Sequence, residues 1–219
     1  MTESNSAAKK GIWGTLIVVV LIIIGAVYFK PWWTKTHLPP AVTINTANQP
    51  TLGNPRAKIH FVVFEDLKCG NCARFNNEVL PYIKKNYIDK GIAQYTMINL
   101  AFIPNSTPAA NAARCVYVQN PKLFFPYVDV IYSHQPPENQ DWATIPTLLN
   151  FAGEVPGINI DQLTQCILNS PYDSLMQNNL ALAKKIMGEQ VATPALYING
   201  IRVNPPTEEK VAEMMNAIK

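Results

Sequence analysis

Two cysteines three residues apart, Cys69 and Cys72, constrain this chain more than any other feature, because of what lies on either side of them. The preceding run "KIHFVVF", at residues 58–64, is β-branched and aromatic and predicts a buried strand. The cysteines then open a stretch whose apolar residues recur at helical spacing. The next run, "IAQYTMINLAF", predicts a second strand. The expected unit is therefore β-α-β, with both cysteines at the start of the helix.

The first helix contains Pro81, which is expected to kink it, and Gly91, which is expected to end it. The next part of the chain predicts a block of helices, near residues 107–119, 121–133, 142–152, 160–168 and 171–187. Two short strands, "ALYI" and "IRVN", follow and are joined by Asn199-Gly200, a typical two-residue hairpin turn. Thr207 is the predicted N-cap of a last helix with an acidic first turn.

This order of elements predicts one α/β domain that is interrupted by an insertion. The two parts of the domain are residues 57–102 and 191–219, and the helical insertion is residues 103–190. One sheet with a helical insertion explains the order more simply than two separate domains do.

The residues before this domain comprise a polar tail, an apolar run and a linker. Residues 11–29 carry no charge, and nineteen helical residues span about 28 Å, close to the thickness of a bilayer core. A cleaved signal peptide is the alternative, but no good small-x-small cleavage site follows the run. We therefore predict a transmembrane signal anchor at 11–29, after a tail at 1–10. A linker at 30–56 follows, with room for a short strand at 41–44.

Charge and residue spacing argue against two classes of function. The net charge is only +3, and the lysines and arginines are scattered, which does not suggest a nucleic-acid surface. Zinc sites use four ligands, usually as two close pairs, whereas Cys115 and Cys166 form no second C-x-x-C and the three histidines lack ligand spacing. A purely structural bridge between Cys69 and Cys72 would close too small a loop to restrain the unfolded chain. We therefore predict no metal and no cofactor.

A C-x-x-C at a helix start is suited to disulfide exchange. The unpaired N–H groups and the helix dipole favour negative charge, so the Cys69 thiolate is stabilised, while Cys72 lies one turn deeper. An oxidised pair can be attacked at Cys69 and can pass its disulfide to a substrate, and the reverse steps reduce a substrate. After a strand and at the start of a β-α-β helix, this motif is typical of a thioredoxin-like redox site.

Thr193-Pro194 comes directly before the "ALYI" strand and gives a second indication of redox chemistry. A proline there cannot donate to a sheet ladder. A cis peptide bond would let the backbone expose polar groups beside the cysteines, whereas an ordinary proline at the start of a strand would not. The residues alone leave both readings open.

Four segments together resemble the DsbA-like branch of the thioredoxin-fold thiol:disulfide oxidoreductases. They are "FEDLKCGNC", the block beginning "AANAARCVYVQNPKLFFPYVDVIYS", "IDQLTQCILNS" and "VATPALYINGIRV". The resemblance implies a thioredoxin fold with an inserted all-helical domain, here preceded by one N-terminal transmembrane helix. It implies that Cys69 is the nucleophile and Cys72 the resolving cysteine. It also implies that Pro194 is cis and, with Thr193, contacts Cys69 and the substrate backbone.

The resemblance also implies a location and partners. The catalytic domain would lie in the periplasm, as part of a single-pass inner-membrane protein whose tail at 1–10 is cytoplasmic. Its substrates would be unfolded or reduced proteins, and a quinone-linked membrane partner would reoxidise it. In such an oxidising compartment we favour a structural disulfide between Cys115 and Cys166. Two free buried cysteines are the alternative.

The sequence departs from the family pattern around the motif. The dipeptide between the cysteines is Gly70-Asn71, which has no imidazole to stabilise a thiolate. Val63 stands six residues before the first cysteine, where such folds often have a buried acid. Glu65 or Asp66 could instead serve as a proton relay for the resolving cysteine, and a turn or cap role is the alternative for each.

The predicted function is a thiol:disulfide oxidoreductase that donates disulfides to extracytoplasmic proteins through Cys69 and Cys72. One alternative is a disulfide reductase or isomerase of the same fold. A linker as short as 30–56 leaves no space for the dimerisation domain that isomerases of this kind carry. The other alternative is a membrane-tethered assembly factor without catalytic activity, against which the presence of both cysteines argues.

Overall fold

The computed structural model describes residues 18–26, 38–169 and 171–218. Residues 18–26 are helical, and their apolar side chains are exposed. Within these described ranges, no helix has both the length and the apolar character needed to cross a membrane. Both ends of the predicted anchor at 11–29, and the whole of the predicted tail at 1–10, lie outside the described residues.

Residues 40–218 form one structural unit built on a mixed sheet. In the described part of the chain the strands are β1 (Thr51–Gly53), β2 (Ile59–Asp66), β3 (Ala93–Leu100), β4 (Ala195–Ile198) and β5 (Ile201–Val203). Their order across the sheet is β1-β3-β2-β4-β5. The central pair β2 and β3 is parallel, and the other neighbours are antiparallel. The parallel pair requires a crossover, which the first helix provides.

That crossover is α1, a continuous helix over residues 70–88. The other helices among the described residues of this unit are α2 (Thr107–Gln119), α3 (Phe124–His134), α4 (Ile145–Gly153), α5 (Ile160–Asn169), α6 (Asp173–Met187) and α7 (Glu208–Ala217). Helices α2 to α6 lie between β3 and β4 in the chain and form the helical insertion. The predicted helix at 121–133 begins instead as a 3₁₀ turn, Pro121–Leu123, with the Asn120 side chain accepting a hydrogen bond from the Lys122 N–H. The fold is mixed α/β and thioredoxin-like, with a helical insertion.

Both faces of the central strands are buried, which is why β2 reads as a nearly continuous apolar run. On one face, Phe61 and Val63 of β2 join a core with residues of α1, α7 and the insertion. On the other face, Val62 and Phe64 pack with Ala183 of α6. The sheet thus holds α1, and with it the two cysteines of the C-x-x-C motif, on the side that also carries most of the insertion.

At Pro81, where the sequence predicts a kink, helix α1 continues with a π-helical segment on each side of the turn that contains the proline. That turn is Leu80–Ile83, and the two five-residue π-helical segments are Phe75–Val79 and Lys84–Ile88. Wider π turns are places where a helix accommodates a break in its regular hydrogen-bond ladder, such as the missing N–H of proline. Beyond the helix, Gly91 adopts φ = +70°.

The predicted strand at 41–44 is wrong. These residues have no strand structure, although the Val42 N–H donates to the Gly200 carbonyl at 2.9 Å. The strand that extends the sheet on the other side is β1, a short edge strand further along the chain. The predicted hairpin turn is confirmed, because Asn199 and Gly200 both have positive φ. Glycine is required there also because a side chain at 200 would collide with the Val42 backbone.

Candidate active site

The turn between β2 and α1 is organised by the buried carboxylate of Asp66. It accepts hydrogen bonds from the Lys68 N–H at 2.9 Å, from the Phe102 and Ile103 N–H groups at 3.0 Å each, and from the Ser106 hydroxyl at 2.9 Å. Burial nevertheless raises the pKa of Asp66. With four donors around it, this carboxylate fixes the end of β2 against the start of the insertion. Of the two roles considered for Asp66, proton relay and turn, these contacts favour the turn role.

Cys69 occupies the N-cap of α1, and its side chain is almost fully buried. Its Sγ lies 3.6 Å from the Thr193 carbonyl, to which it donates a hydrogen bond. The pKa of Cys69 is lowered to about 6, first because the Cys72 thiol hydrogen-bonds to it. Burial opposes this lowering, while Thr193 and the backbone N–H groups of Cys72 and Asn71 add to it. The thiolate is therefore stabilised by the first turn of the helix, without an imidazole.

Cys72 differs sharply from Cys69 although it is only one turn away. It is fully buried, and burial is the main cause that raises its pKa well above the ordinary value. The hydrogen bond to Cys69 and the charge of Glu65 raise it further. The pair thus consists of Cys69, a thiol with a lowered pKa at the helix start, and Cys72, a buried thiol with a raised pKa one turn further along. Gly70 and Asn71, between them, are both exposed.

Thr193 and Pro194 lie beside the cysteines because of the sheet register. Strand β4 runs antiparallel to β2 with Ala195 opposite Phe64, so the residues just before β4 come next to the end of β2. The Thr193–Pro194 peptide bond is cis. Thr193 uses its carbonyl for the contact with the Cys69 sulfur. The structure therefore brings together four of the predicted site residues from two distant parts of the chain.

Glu65 lies behind the pair and is almost fully buried at the end of β2. One carboxyl oxygen accepts a hydrogen bond from the Tyr132 hydroxyl at 3.0 Å. Burial raises the pKa of Glu65 to about 8, against the lowering effect of Tyr132. A carboxyl group with this pKa can both donate and accept a proton near neutral pH, as a proton relay requires.

The loop after α3 contacts the start of α1. Nothing in the sequence indicates these contacts. The Gly70 N–H donates to a carboxylate oxygen of Glu138 at 3.2 Å, and the Gln135 side chain donates to the Leu67 carbonyl at 3.1 Å. Nearby, the buried Lys68 ammonium donates to the Pro104 carbonyl at 2.9 Å. The two residues of each hydrogen bond are far apart in the sequence, so no local sequence pattern predicts these contacts.

The remaining two cysteines are joined within the insertion. Cys115 of α2 and Cys166 of α5 form a disulfide, with an S–S distance of 2.06 Å. Cys115 is buried, and Cys166 is partly exposed. The bridge fixes the first helix of the insertion to its fourth.

The first prediction concerns the reactivity of the two active-site thiols in the reduced protein. We expect the alkylation rate of Cys69 to rise with pH with a midpoint near 6, because only the thiolate reacts and its pKa is lowered to about that value. Cys72 should react far more slowly because it is fully buried and its pKa is raised well above the ordinary value. The measurement is the rate of iodoacetamide labelling from pH 4 to 9, located by peptide mass spectrometry. A Cys69 midpoint near 8.5 would contradict the stabilisation at the helix start.

Comparison with known proteins identifies the family of the chain. A family model described as "Thioredoxin" matches residues 45–217, most of the chain. The probable disulfide bond formation protein D of Bacillus anthracis is 30% identical over 207 residues, which cover 94% of this chain and 93% of the relative. Disulfide bond formation protein D of Bacillus subtilis is 30% identical over 152 residues, which cover 69% of this chain and 68% of the relative.

The solved structures that superpose on this chain include DsbA-like proteins. The crystal structure of Chlamydia trachomatis DsbA superposes with a TM-score of 0.75 at 32% identity, covering 82% of this chain and 97% of that one. Oxidised BdbD from Bacillus subtilis superposes with a TM-score of 0.75 at 26% identity and the same coverage. The matched residues include the β-α-β unit with its cysteine pair and the helical insertion. The chain belongs to the thioredoxin family and, within it, is a DsbA-like thiol:disulfide oxidase.

Proposed function

We propose that Cys69 and Cys72 are the redox pair of this oxidase and that the protein donates their disulfide to other proteins. A substrate thiolate attacks the Cys69 sulfur, the Cys69–Cys72 bond breaks, and Cys72 leaves and takes up a proton. A second substrate thiolate then attacks the substrate sulfur of the mixed disulfide and releases the Cys69 thiolate. The substrate loses two electrons and gains a disulfide, and the enzyme pair is left reduced.

The observation that carries this proposal is the difference between the two thiols. Attack at Cys69 is favoured because it lies at the helix start beside the Thr193 carbonyl, while Cys72 is fully buried. The low pKa of Cys69, about 6, makes it a good leaving group in the second step. It also stabilises the reduced enzyme relative to the disulfide, which favours donation over reduction.

Three further residues support the exchange in this proposal. Thr193 and Pro194 present backbone next to the Cys69 sulfur, where an extended, unfolded peptide can align along the end of the sheet. Glu65 supplies the proton that Cys72 takes up when it leaves, and removes it again when the pair is reoxidised. Asp66 is assigned a structural role here, because its carboxylate is surrounded by donors that hold the turn.

We also propose that the enzyme works outside the cytoplasm, in the periplasm, as a single-pass inner-membrane protein anchored through residues 11–29. The uncharged apolar run at 11–29 supports the anchor, and a disulfide in the insertion suits an oxidising compartment. A pair that donates its disulfide must be reoxidised after each cycle. A quinone-linked membrane protein is the partner proposed for this step, close to the anchor.

The test of the proposed direction is the redox equilibrium of Cys69 and Cys72 with glutathione. We expect the pair to be reduced by glutathione mixtures that leave thioredoxin-like disulfides intact, since the stabilised Cys69 thiolate favours the dithiol form. The measurement is the mass shift after thiol alkylation of the full chain, with a Cys115/Cys166 double-serine variant as control. A potential as low as that of thioredoxin would overturn donation and favour the reductase alternative. A pair that never forms a disulfide would overturn the redox role.

A further inference from the structure

The Tyr132 hydroxyl connects the helical insertion to the proton chemistry of the site. Tyr132 is buried on α3, and its hydroxyl donates to Glu65 Oε2 at 3.0 Å. The Tyr132 hydroxyl also lies 3.4 Å from the Asp66 carbonyl oxygen, and this second contact holds it at the end of β2. The other carboxyl oxygen of Glu65, Oε1, has no hydrogen-bond partner among the described residues. The hydroxyl of Tyr132 is therefore the main protein donor that can stabilise this carboxyl group when it is ionised.

The groups around Glu65 act in opposite directions on its pKa. Tyr132 lowers it, and Tyr95 of β3 lowers it by a smaller amount. The charges of Cys69, at the N-cap of α1, and of Asp129 on α3 raise it, in addition to the larger effect of burial. Glu65 in turn raises the pKa of Cys72, so the protonation states of the two groups are linked.

We propose that Tyr132 is a positioning residue that stabilises the ionised Glu65 carboxylate behind the catalytic helix and thereby sets when Cys72 can give up its proton. This proposal rests on the proposed role of Glu65 as the proton relay. The two directions of the cycle need opposite forms of Glu65. Donation to a substrate needs the protonated acid, which supplies the proton to the leaving Cys72 sulfur. Reoxidation needs the carboxylate, which removes that proton.

Tyr132→Phe is the informative substitution because it removes only the hydroxyl. Without this donor, we expect the Glu65 midpoint to move to higher pH by about one unit, in line with the loss of a hydrogen bond to a charged group. Reoxidation of the reduced pair should then require higher pH, and near neutral pH it should slow by roughly tenfold. Donation should instead continue to higher pH than in the unchanged protein. A purely structural defect would slow both directions and shift neither profile.

Tyr127→Phe is the matched control. Tyr127 lies on the same helix and is fully buried, and its hydroxyl donates to the Leu148 carbonyl at 2.9 Å, not to Glu65. Removing it also deletes one buried hydrogen bond of a tyrosine hydroxyl, but it leaves the contacts of the Glu65 carboxyl group unchanged. We expect the Tyr127→Phe profile to coincide with that of the unchanged protein.

Two measurements on the full chain decide the question. Infrared difference spectroscopy of the protonated carboxyl C=O band, assigned with Glu65→Gln, follows the Glu65 midpoint directly and without any exchange reaction. Stopped-flow reoxidation by oxidised glutathione, as a probe disulfide, gives the pH profile of the reverse step. Parallel upward shifts in Tyr132→Phe alone support the proposal. An unchanged infrared midpoint, an equal shift in Tyr127→Phe, or a Glu65→Gln variant with an unaltered profile would each overturn it.

The infrared arm also separates this proposal from the direction of catalysis. A low potential in the glutathione equilibrium would rule out donation as the function. The infrared comparison would still show whether the Glu65 midpoint depends on the Tyr132 hydroxyl. The proposal about Tyr132 is then decided on its own result.

Discussion

Cys69→Ser is expected to abolish the oxidation of reduced protein substrates, with a loss of at least about a thousandfold in rate. Serine cannot form a disulfide, and a hydroxyl at the N-cap of α1 offers no sulfur for a substrate thiolate to attack. The fold should be retained, because serine is a favourable N-cap residue. The measurement is the disappearance of thiols from a reduced, unfolded test protein, followed by alkylation and mass spectrometry under catalytic enzyme concentrations.

Cys72→Ser is the control that identifies the attacking sulfur. It keeps the Cys69 thiol at the start of α1 but removes the fully buried Cys72 thiol that would resolve the product. We expect this variant to accumulate a mixed disulfide between Cys69 and the substrate, which Cys69→Ser should not form. Equal trapping by the two variants would contradict the assignment of Cys69 as the nucleophile. Activity that survives Cys69→Ser would remove the enzymatic role altogether.

Replacing Cys115 and Cys166 together with serine is expected to lower the free energy of unfolding by about 4 kcal/mol in the chain-entropy model. The bridge joins residues 51 positions apart, so it restrains a long loop of the unfolded chain. That loss is large beside the total stability of about 5–15 kcal/mol that is typical of a folded protein. Chemical denaturation monitored by circular dichroism, with the Cys69–Cys72 pair kept oxidised, measures the change.

The same double-serine variant also separates stabilisation from tuning of the active site. We expect its Cys69–Cys72 equilibrium with glutathione to stay within about twofold of the unchanged protein, because the disulfide fastens α2 to α5 and does not contact the redox pair in the hydrogen bonds described above. An unfolding midpoint equal to that of the unchanged protein would contradict the stabilising role. A large shift in the glutathione equilibrium would show that the bridge also tunes the redox pair.

The parts of the fold that could be predicted are those specified by nearby residues. The run at 58–64 is mostly apolar, with Lys58 and His60 as its only polar residues, because the centre of β2 is buried on both faces. The C-x-x-C follows within a few residues, so strand, motif and helix appear in order. The Asn199-Gly200 turn is fixed by the positive φ that its two residues tolerate. Thr207 caps α7 through its side chain, which accepts a hydrogen bond from the Lys210 N–H. Each of these depends on contacts a few residues apart.

The parts that could not be predicted depend on residues that only the folded chain brings together. Tyr132 and Glu138 contact the start of the site across 67 and 68 residues, and a tyrosine or glutamate in a helical block has no local pattern that marks such a contact. The edge strand β1 is three residues long, too short to show an alternating pattern, so the sequence does not mark it. Asp66 could be placed at a turn, but three of its four donors come from residues 102–106, just beyond the end of β3.

Those four donors make the insertion difficult to detach from the domain that carries the cysteines. Three of them, the Phe102 and Ile103 N–H groups and the Ser106 hydroxyl, belong to the segment where the insertion begins. A minimal domain obtained by cutting after residue 102 would take away two of the four donors of this buried carboxylate, the Ile103 N–H and the Ser106 hydroxyl. Any chimera that exchanges the insertion for that of a relative therefore needs its junction after Ser106. In this chain a single aspartate thus limits where the insertion can be exchanged.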